Sequence, residues 1–242
     1  MENPICISTG CVYKLSQDRN DKIKVLREFS LSGIEISFSH PKYLFDFDIT
    51  EENLKYLQDL EFKSIHAPWK NVTYDDSEKA KMVLDKISEL YKQINARNVV
   101  FHKDSIKDYN LVVNNDFVAS LENDDWRKAN NDIEYFKSLL DNNKKFKFTF
   151  DFAHAVSTES DIAEYIGYFK DRLIEIHLSI IVKDSLNQYP AHTFLHRNDS
   201  KEVRKLLQLL KETSVPLVLE SSVSNINEIN LIKEEIEYLK KV

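Results

Sequence analysis

Short runs of apolar residues, each followed by an amphipathic segment, recur along the whole chain. The run FKFTF at 146–150 is rich in aromatic and β-branched residues, which is typical of a buried strand. Between residues 76 and 94, apolar side chains recur at three- and four-residue spacings, which predicts a helix. Thr50 followed by two glutamates predicts the start of another helix. The pattern therefore predicts strands and helices in alternation.

Eight segments have the composition of strands, and most are separated by helical segments. The predicted strands cover 5–12, 33–39, 62–66, 98–102, 116–122, 146–151, 172–177 and 216–220. Helices are predicted over about 21–31, from 51 onward, and over 76–94, 126–140, 160–170, 199–213 and the C-terminal segment. Alternation of this kind indicates a parallel sheet.

The number of strand and helix units matches a TIM barrel, the (β/α)8 fold. Such barrels typically contain about 250 residues, and this chain has 242. Residues 103–115 leave too little room for a full helix and its loops, so the fourth helix is predicted to be shortened or missing. No linker or change in composition divides the chain, and we expect residues 1–242 to form a single barrel domain.

The composition of the chain argues against several functional classes. Only three glycines are present, and neither a dinucleotide-binding nor a P-loop glycine pattern can be written. The formal net charge of −7 argues mildly against a large non-specific nucleic-acid surface. No apolar run is long enough to span a bilayer, and no signal peptide is recognisable. With Cys6 and Cys11 as the only cysteines, we expect a soluble cytoplasmic protein without a disulfide framework.

The chemistry of the chain is concentrated where the predicted strands end. In a TIM barrel these ends form one rim, which carries the catalytic residues. Imidazoles and carboxylates fall in, or just beyond, the ends of strands three to eight: His66, His102, Glu122, Asp151, His154, His177 and Glu220. His192 falls in a loop on the same face, and the pattern places none of the seven histidines on a helix.

A single histidine at a strand end is more often a hydrogen-bonded core residue than a ligand, and a single carboxylate often only caps the next helix. Together, however, these groups would repel one another or remain desolvated without a cation. Mixed imidazole and carboxylate ligands suit Zn²⁺, or Mn²⁺ or Fe²⁺ with fewer imidazoles. We therefore predict a divalent-metal site. His40 and His196 are interpreted as polar rim residues outside it.

Several short motifs in order resemble the xylose isomerase-like barrels, the superfamily that includes endonuclease IV (AP endonuclease family 2) and the sugar phosphate isomerases and epimerases. The resemblance covers nearly the whole chain. It is carried by HAPW at 66–69, VVFH at 99–102, LEN at 121–123, DFAHA at 151–155, EIHLS at 175–179 and LES at 219–221.

The resemblance implies a ligand set. Glu122, Asp151, His177 and Glu220 match a metal core that both branches share. His66 and His102 match histidines that, with a bridging Glu122, hold a second zinc ion in the endonuclease branch, and His154 and His192 match ligands of its third. Pro190 stands where that branch has a third-site aspartate, and a proline side chain cannot bind a metal.

Two reactions remain open. The first is endonuclease IV-like hydrolysis of a phosphodiester, at an abasic site in DNA or a related sugar phosphate, with two or more Zn²⁺ ions activating water. The second is isomerisation or epimerisation of a sugar or sugar phosphate through an enediolate at one ion, with Mn²⁺ as the expected metal. Glu122 and Glu220 would then be the acid/base pair.

Glu122 and Glu220 are the catalytic candidates, and His154, His192 and Trp69 are candidate substrate contacts. A barrel that only binds a metal or a sugar is the non-enzymatic alternative. No membrane and no protein partner is implied.

Overall fold

Parallel strands closing into a barrel organise the chain. The computed structural model describes residues 3–181 and 192–241. The strands are β1 (Ile5–Ser8), β2 (Gly33–Ser37), β3 (Phe62–His66), β4 (Asn98–His102), β5 (Ala119–Glu122), β6 (Lys147–Asp151), β7 (Leu173–Leu178), β8 (Ile180–Ile181), β9 (His192–Thr193) and β10 (Leu217–Leu219). β8 and β9 form a separate antiparallel pair. The other eight close in the order β1-β10-β7-β6-β5-β4-β3-β2, which confirms the predicted (β/α)8 fold.

Helices connect the barrel strands along the outside. They are α1 (Arg19–Leu26), α2 (Pro41–Phe45), α3 (Glu51–Asp59), α4 (Glu78–Gln93), α5 (Tyr109–Val113), α6 (Ile133–Asn142), α7 (Phe152–Ser157), α8 (Ile162–Phe169), α9 (Lys201–Leu210) and α10 (Asn230–Lys240). Thr50, Ser77 and Ser200 each accept a hydrogen bond from the backbone N–H three residues later. These caps satisfy N–H groups that have no partner inside the helix. The shortened fourth helix is confirmed, because α5 has only five residues.

The apolar core lies between the strands and the helices. On β6, for example, the rings of Phe148 and Phe169 pack with centroids 4.4 Å apart, and Phe150 meets Tyr165 at 5.7 Å. Thr149 and Asp151 therefore point into the barrel, because successive side chains of a strand alternate between its faces.

The barrel interior is polar at two levels. Near the carboxyl ends of the strands, His102 pairs in register with Glu122, and Asp151 pairs with His177. Closer to the amino ends, Glu35 pairs with Ser64, which in turn pairs with Asn98. Bulky branched apolar residues usually fill the interior of a TIM barrel, so both polar levels are departures from its usual packing.

Gly33 allows β2 and β3 to approach closely. A Cβ at this position would lie 2.3 Å from the carbonyl oxygen of Phe62 and 2.6 Å from the sulfur of Cys6. Only a residue without a side chain fits there, and the start of β2 therefore depends on this glycine.

Several predicted boundaries were wrong. The helix expected over 126–140 begins at Ile133, because Asp132 caps it by accepting from the N–H of Tyr135. The first strand ends at Ser8, whose side chain accepts from the N–H of Gly10 and starts a 3-10 helix. Competition from short polar side chains for backbone N–H groups explains both differences. Within residues 3–181 and 192–241, no helix is both long and apolar enough to cross a membrane.

Candidate metal centre

Glu122 lies at the centre of the rim cluster. Its Oε1 is 2.9 Å from His177 Nδ1, and its Oε2 is 3.2 Å from His102 Nε2 and 3.5 Å from His66 Nε2. The carboxylate is 2% exposed. The two oxygens of one buried side chain therefore face two different groups of imidazoles.

The rim contains two sets of side chains with metal-ligand spacing, and both include Glu122. One set is His66, His102 and Glu122, and the other is Glu122, Asp151, His177 and Glu220. In each set, one potential ligand atom per residue lies within 4.8 Å of the others. Glu122 is thus common to two sets of side chains, each of which could hold a metal ion.

Backbone carbonyls fix the tautomers of two of the rim histidines, His66 and His154. His66 Nδ1 is 3.2 Å from the carbonyl oxygen of Ala67, and His154 Nδ1 is 2.8 Å from that of Asn123. A carbonyl oxygen only accepts, so Nδ1 carries the hydrogen in both rings. Nε2 is left as the atom able to bind a metal, which is the usual arrangement of metal-binding histidines.

The pKa values of the rim residues are shifted by burial and by the pairing of carboxylates with imidazoles. Burial would lower the pKa of His66, but the hydrogen bond and charge of Glu122, with the charge of Glu35, raise it to about 9. Burial lowers the pKa of His102 to about 4, and the charge of Glu122 offsets this only in part. Burial raises the pKa of Asp151 to about 8. The neighbouring imidazoles hold the pKa of Glu122 well below its usual range, against the effect of burial.

The donor atoms fit divalent cations. Asp151 Oδ2 is buried and accepts no hydrogen bond from any described residue. A buried carboxylate oxygen without a partner is costly, and a bound cation would remove this cost. Imidazole nitrogens mixed with carboxylate oxygens are ligands that Zn²⁺ accepts.

His154 and His192 lie beside the two sets without joining either. Their ring centroids are 6.3 Å apart, and His154 is 6.4 Å from His102. His192 Nδ1 is 2.7 Å from the hydroxyl of Ser179. They are therefore placed together at the mouth, as the resemblance implied, whereas Pro190 lies outside the described residues.

The prediction that no histidine lies on a helix was wrong for His154, which belongs to α7, and for His196, which lies in a 3-10 helix over Leu195–Arg197. Asp151 accepts a hydrogen bond from the backbone N–H of His154 and so caps α7 directly at the end of β6. This short helix turns the His154 ring toward the mouth.

His40 and His196 do not join the cluster, as interpreted from the sequence. His40 Nδ1 is 3.0 Å from the hydroxyl of Ser39. His196 Nδ1 is 2.6 Å from the buried carboxylate of Glu235 on α10, so His196 connects its 3-10 helix to α10.

A neighbouring acidic group is already neutralised. His102, Asp104 and Asp124 have metal-ligand spacing, but Asp104 pairs with Lys128 and Asp124 pairs with the buried Lys103. The ammonium groups supply the positive charge that a cation would otherwise bring.

Trp69 forms part of the wall of the mouth. Its ring stacks on His102 at a centroid distance of 5.3 Å and meets the edge of His66 at 4.8 Å. Since it is only partly buried, it lies between the imidazoles and solvent. That position is compatible with the predicted substrate contact.

Sequence reasoning missed Glu35, Glu175 and Asn123. Glu35 and Glu175 are fully buried, with carboxylate oxygens 3.3 and 3.5 Å from His177 Nε2. The signal was present, because Glu175 and His177 are two residues apart and so share one face of a strand. Asn123 exchanges hydrogen bonds of 2.7 and 2.8 Å with the backbone of Asp151, which fixes the ends of β5 and β6 relative to each other.

This chain is similar to known proteins in its three-dimensional structure. No family model matches the sequence, and no curated protein matches it. Endonuclease IV from Thermus thermophilus is 13% identical, with a TM-score of 0.69 over 99% of this chain and 100% of the other. A xylose isomerase domain protein from Salmonella typhimurium is also 13% identical, with a TM-score of 0.70 over 99% and 98%.

A D-tagatose 3-epimerase-like protein is 17% identical, with a TM-score of 0.67 over 98% of both chains. These similarities extend along the whole described architecture, whereas the identities are too low to transfer a reaction. The chain therefore has the fold of the xylose isomerase-like TIM barrels.

Proposed function

We propose that this chain is a metal-dependent hydrolase of phosphodiesters, which holds two or more Zn²⁺ ions at the rim of the barrel. The observation that carries the proposal is the position of Glu122 between His177 on one side and His66 and His102 on the other. A carboxylate with one oxygen toward each ligand set would suit a pair of neighbouring ions, as in two-metal phosphoryl-transfer sites.

The residues divide into two groups of ligands. His66 and His102 would hold one ion, while Asp151, His177 and Glu220 would hold the other, with Glu122 shared between them. Bound zinc ions supply a water of lowered pKa and stabilise negative charge on the phosphate oxygens. Glu220 is the most exposed member of its set, at 17% of its side chain, and faces the mouth.

His154 and His192 would contact the phosphate or hold a further ion. The Nδ1–H of His154 is occupied by the carbonyl of Asn123, so its Nε2 remains for the substrate side. Trp69, stacked on His102, offers a flat face to a sugar or base beside the reacting phosphate. The proposed substrate class is therefore a phosphodiester attached to a sugar, as at an abasic site in DNA or in a smaller sugar phosphate.

The first experiment measures metal content and hydrolysis together. We expect at least two Zn²⁺ ions per chain, together with cleavage of bis-p-nitrophenyl phosphate or incision of DNA containing one abasic site. The Glu122→Gln variant should lose the bound zinc and the hydrolytic activity, because an amide cannot replace a bridging carboxylate. Its circular dichroism spectrum should stay unchanged. Glu134→Gln on the exposed face of α6 is the matched control. Wild-type cleavage by Glu122→Gln would remove Glu122 from the mechanism.

A sugar isomerase or epimerase is the second candidate. It is favoured by the set of Glu122, Asp151, His177 and Glu220, which is sufficient for one ion without His66 and His102. Glu122 and Glu220 would then exchange protons on the two faces of an enediolate, and His66 and His102 would contact the sugar. A single exchangeable ion, with Mn²⁺-dependent interconversion of ketoses and no phosphodiesterase activity, would favour this function over the hydrolase.

A further inference from the structure

A second layer of polar side chains fills the barrel directly beneath the rim. This lumen layer consists of Glu35, Ser64, Asn98, Ser120, Thr149 and Glu175, all 0% exposed. Register pairs Glu35 with Ser64, and Ser64 with Asn98, so these three side chains lie side by side on adjacent strands. Packing alone would favour apolar residues at such positions, and departures of this kind are typical of functional sites.

The lumen layer contains a surplus of hydrogen-bond acceptors. Asn98 Nδ2 donates to Glu175 Oε1 at 3.0 Å and to the hydroxyl of Ser120 at 2.7 Å. Among the described residues, no hydrogen-bond partner is found for Glu35 Oε1, for Glu175 Oε2, for Asn98 Oδ1 or for Ser64 Oγ. Buried oxygens without donors require a compensating positive charge or a hydrogen.

The charge balance leads to the same requirement. Glu35 Oε2 and Glu175 Oε1 lie 3.3 and 3.5 Å from His177 Nε2. His177 is the only basic side chain paired with either carboxylate in the described part of the chain. One imidazole, engaged at the rim through Nδ1, cannot neutralise two carboxylates that are removed from water.

We propose that the lumen layer binds one hard divalent cation, which is separate from the rim ions. Glu35 and Glu175 would be its charged ligands, each through an oxygen that does not face His177. Asn98 Oδ1 and Ser64 Oγ would be neutral ligands. An all-oxygen set of this kind selects Mg²⁺, Ca²⁺ or Mn²⁺ over Zn²⁺. One carboxylate oxygen of Glu35 and one of Glu175 lie within 4.8 Å of each other and of a His177 ring nitrogen, so the two carboxylates are close enough to share one ion.

The position of this ion gives it a distinct behaviour. The rim cluster lies between the lumen layer and the mouth, so the ion would enter before the rim ions and exchange more slowly than they do. Once bound, it would hold Glu35 and Glu175 as acceptors for the Nε2–H of His177. The other nitrogen of that imidazole would then face the rim. The proposal is independent of which reaction the rim catalyses.

The test uses the full chain loaded with Mn²⁺ and Zn²⁺ and then treated briefly with a chelator. Elemental analysis and electron paramagnetic resonance count the ions that remain. We expect one chelator-resistant Mn²⁺ per wild-type chain and none in the Glu35→Gln and Glu175→Gln double variant. Glu122→Gln should lose the rim ions but retain this Mn²⁺, which separates the two sites.

Retention of Mn²⁺ by the double variant would overturn the proposal. Complete loss from the wild type would also overturn it, because the lumen would then hold water or protons. If the double variant does not fold, Ser64→Ala removes a single neutral ligand, and it should release the resistant Mn²⁺ at least several-fold faster. An unchanged release rate in that variant would also count against the proposal.

Discussion

Zinc binding at the rim should release protons, because several of its ligands hold hydrogens in the metal-free protein at neutral pH. Neighbouring carboxylates outweigh burial and raise the pKa of His66 to about 9, and burial raises that of Asp151 to about 8. The pKa of His177 is raised well above its ordinary value by Glu220 and Glu35, against the effect of burial. A metal ion binds only the deprotonated forms.

The magnitude follows from these values. At pH 7 each of the three groups is almost fully protonated, so filling the two ligand sets should release about three protons. Displacing the His66 proton at pH 7 opposes binding by about two pK units, or roughly 3 kcal/mol. Below pH 8, the logarithm of the overall zinc affinity should therefore rise with a slope of about three per pH unit.

Isothermal titration calorimetry in buffers of different ionisation enthalpy measures the number of protons released. His66→Gln should lower it by about one. His102→Gln is the matched variant, since burial lowers the pKa of His102 to about 4 and this ring has no proton to lose. Both variants remove one imidazole from the same ligand set, so only the proton count separates them.

Buffer-independent heats of zinc binding would refute this reasoning. Equal proton counts in His66→Gln and His102→Gln would show that Glu122 does not distinguish the two rings. In that case the electrostatic description of the rim would be wrong even if the metal stoichiometry were correct.

Four further outcomes follow. The metal-free protein should become less stable to heat as the pH rises from about 6.5 to 9. The pKa of His66 is higher in the folded than in the unfolded protein, so this ring stabilises the fold only while it is protonated. A constant Tm over this range would contradict the prediction. In a Trp126→Phe background, zinc should change the fluorescence of Trp69, which contacts two candidate ligands, and an unaltered emission spectrum would exclude that contact. Glu235→Gln should destabilise the fold in urea by about 1–3 kcal/mol, since the carboxylate accepts three hydrogen bonds, while zinc content stays at the wild-type level. Gly33→Ala should cost at least about 1–3 kcal/mol, because its Cβ would lie 2.3 Å from a backbone oxygen, and wild-type stability would show that β2 and β3 can separate there.

The sequence by itself determined the fold and the chemical character of the rim. Apolar runs that end at His66, His102, Glu122 and Asp151 identify strands and place their last side chains on one rim. These conclusions depend on neighbours within a few residues, where strand and helix periodicity operate. The shortened fourth helix was also predictable, since it follows from chain length between two strands.

Only the tertiary structure decided how the rim residues are divided between the two ligand sets. That Glu122 turns one oxygen to His177 and the other to His66 and His102 depends on strand register, which joins residues far apart in the chain. Register also brings Glu35 beside Glu175, although the two-residue spacing of Glu175 and His177 already placed those two side chains on one face of a strand. The partners of a charged residue in a strand are decided only when the barrel closes, because closure places residues of neighbouring strands at the same height along the barrel axis.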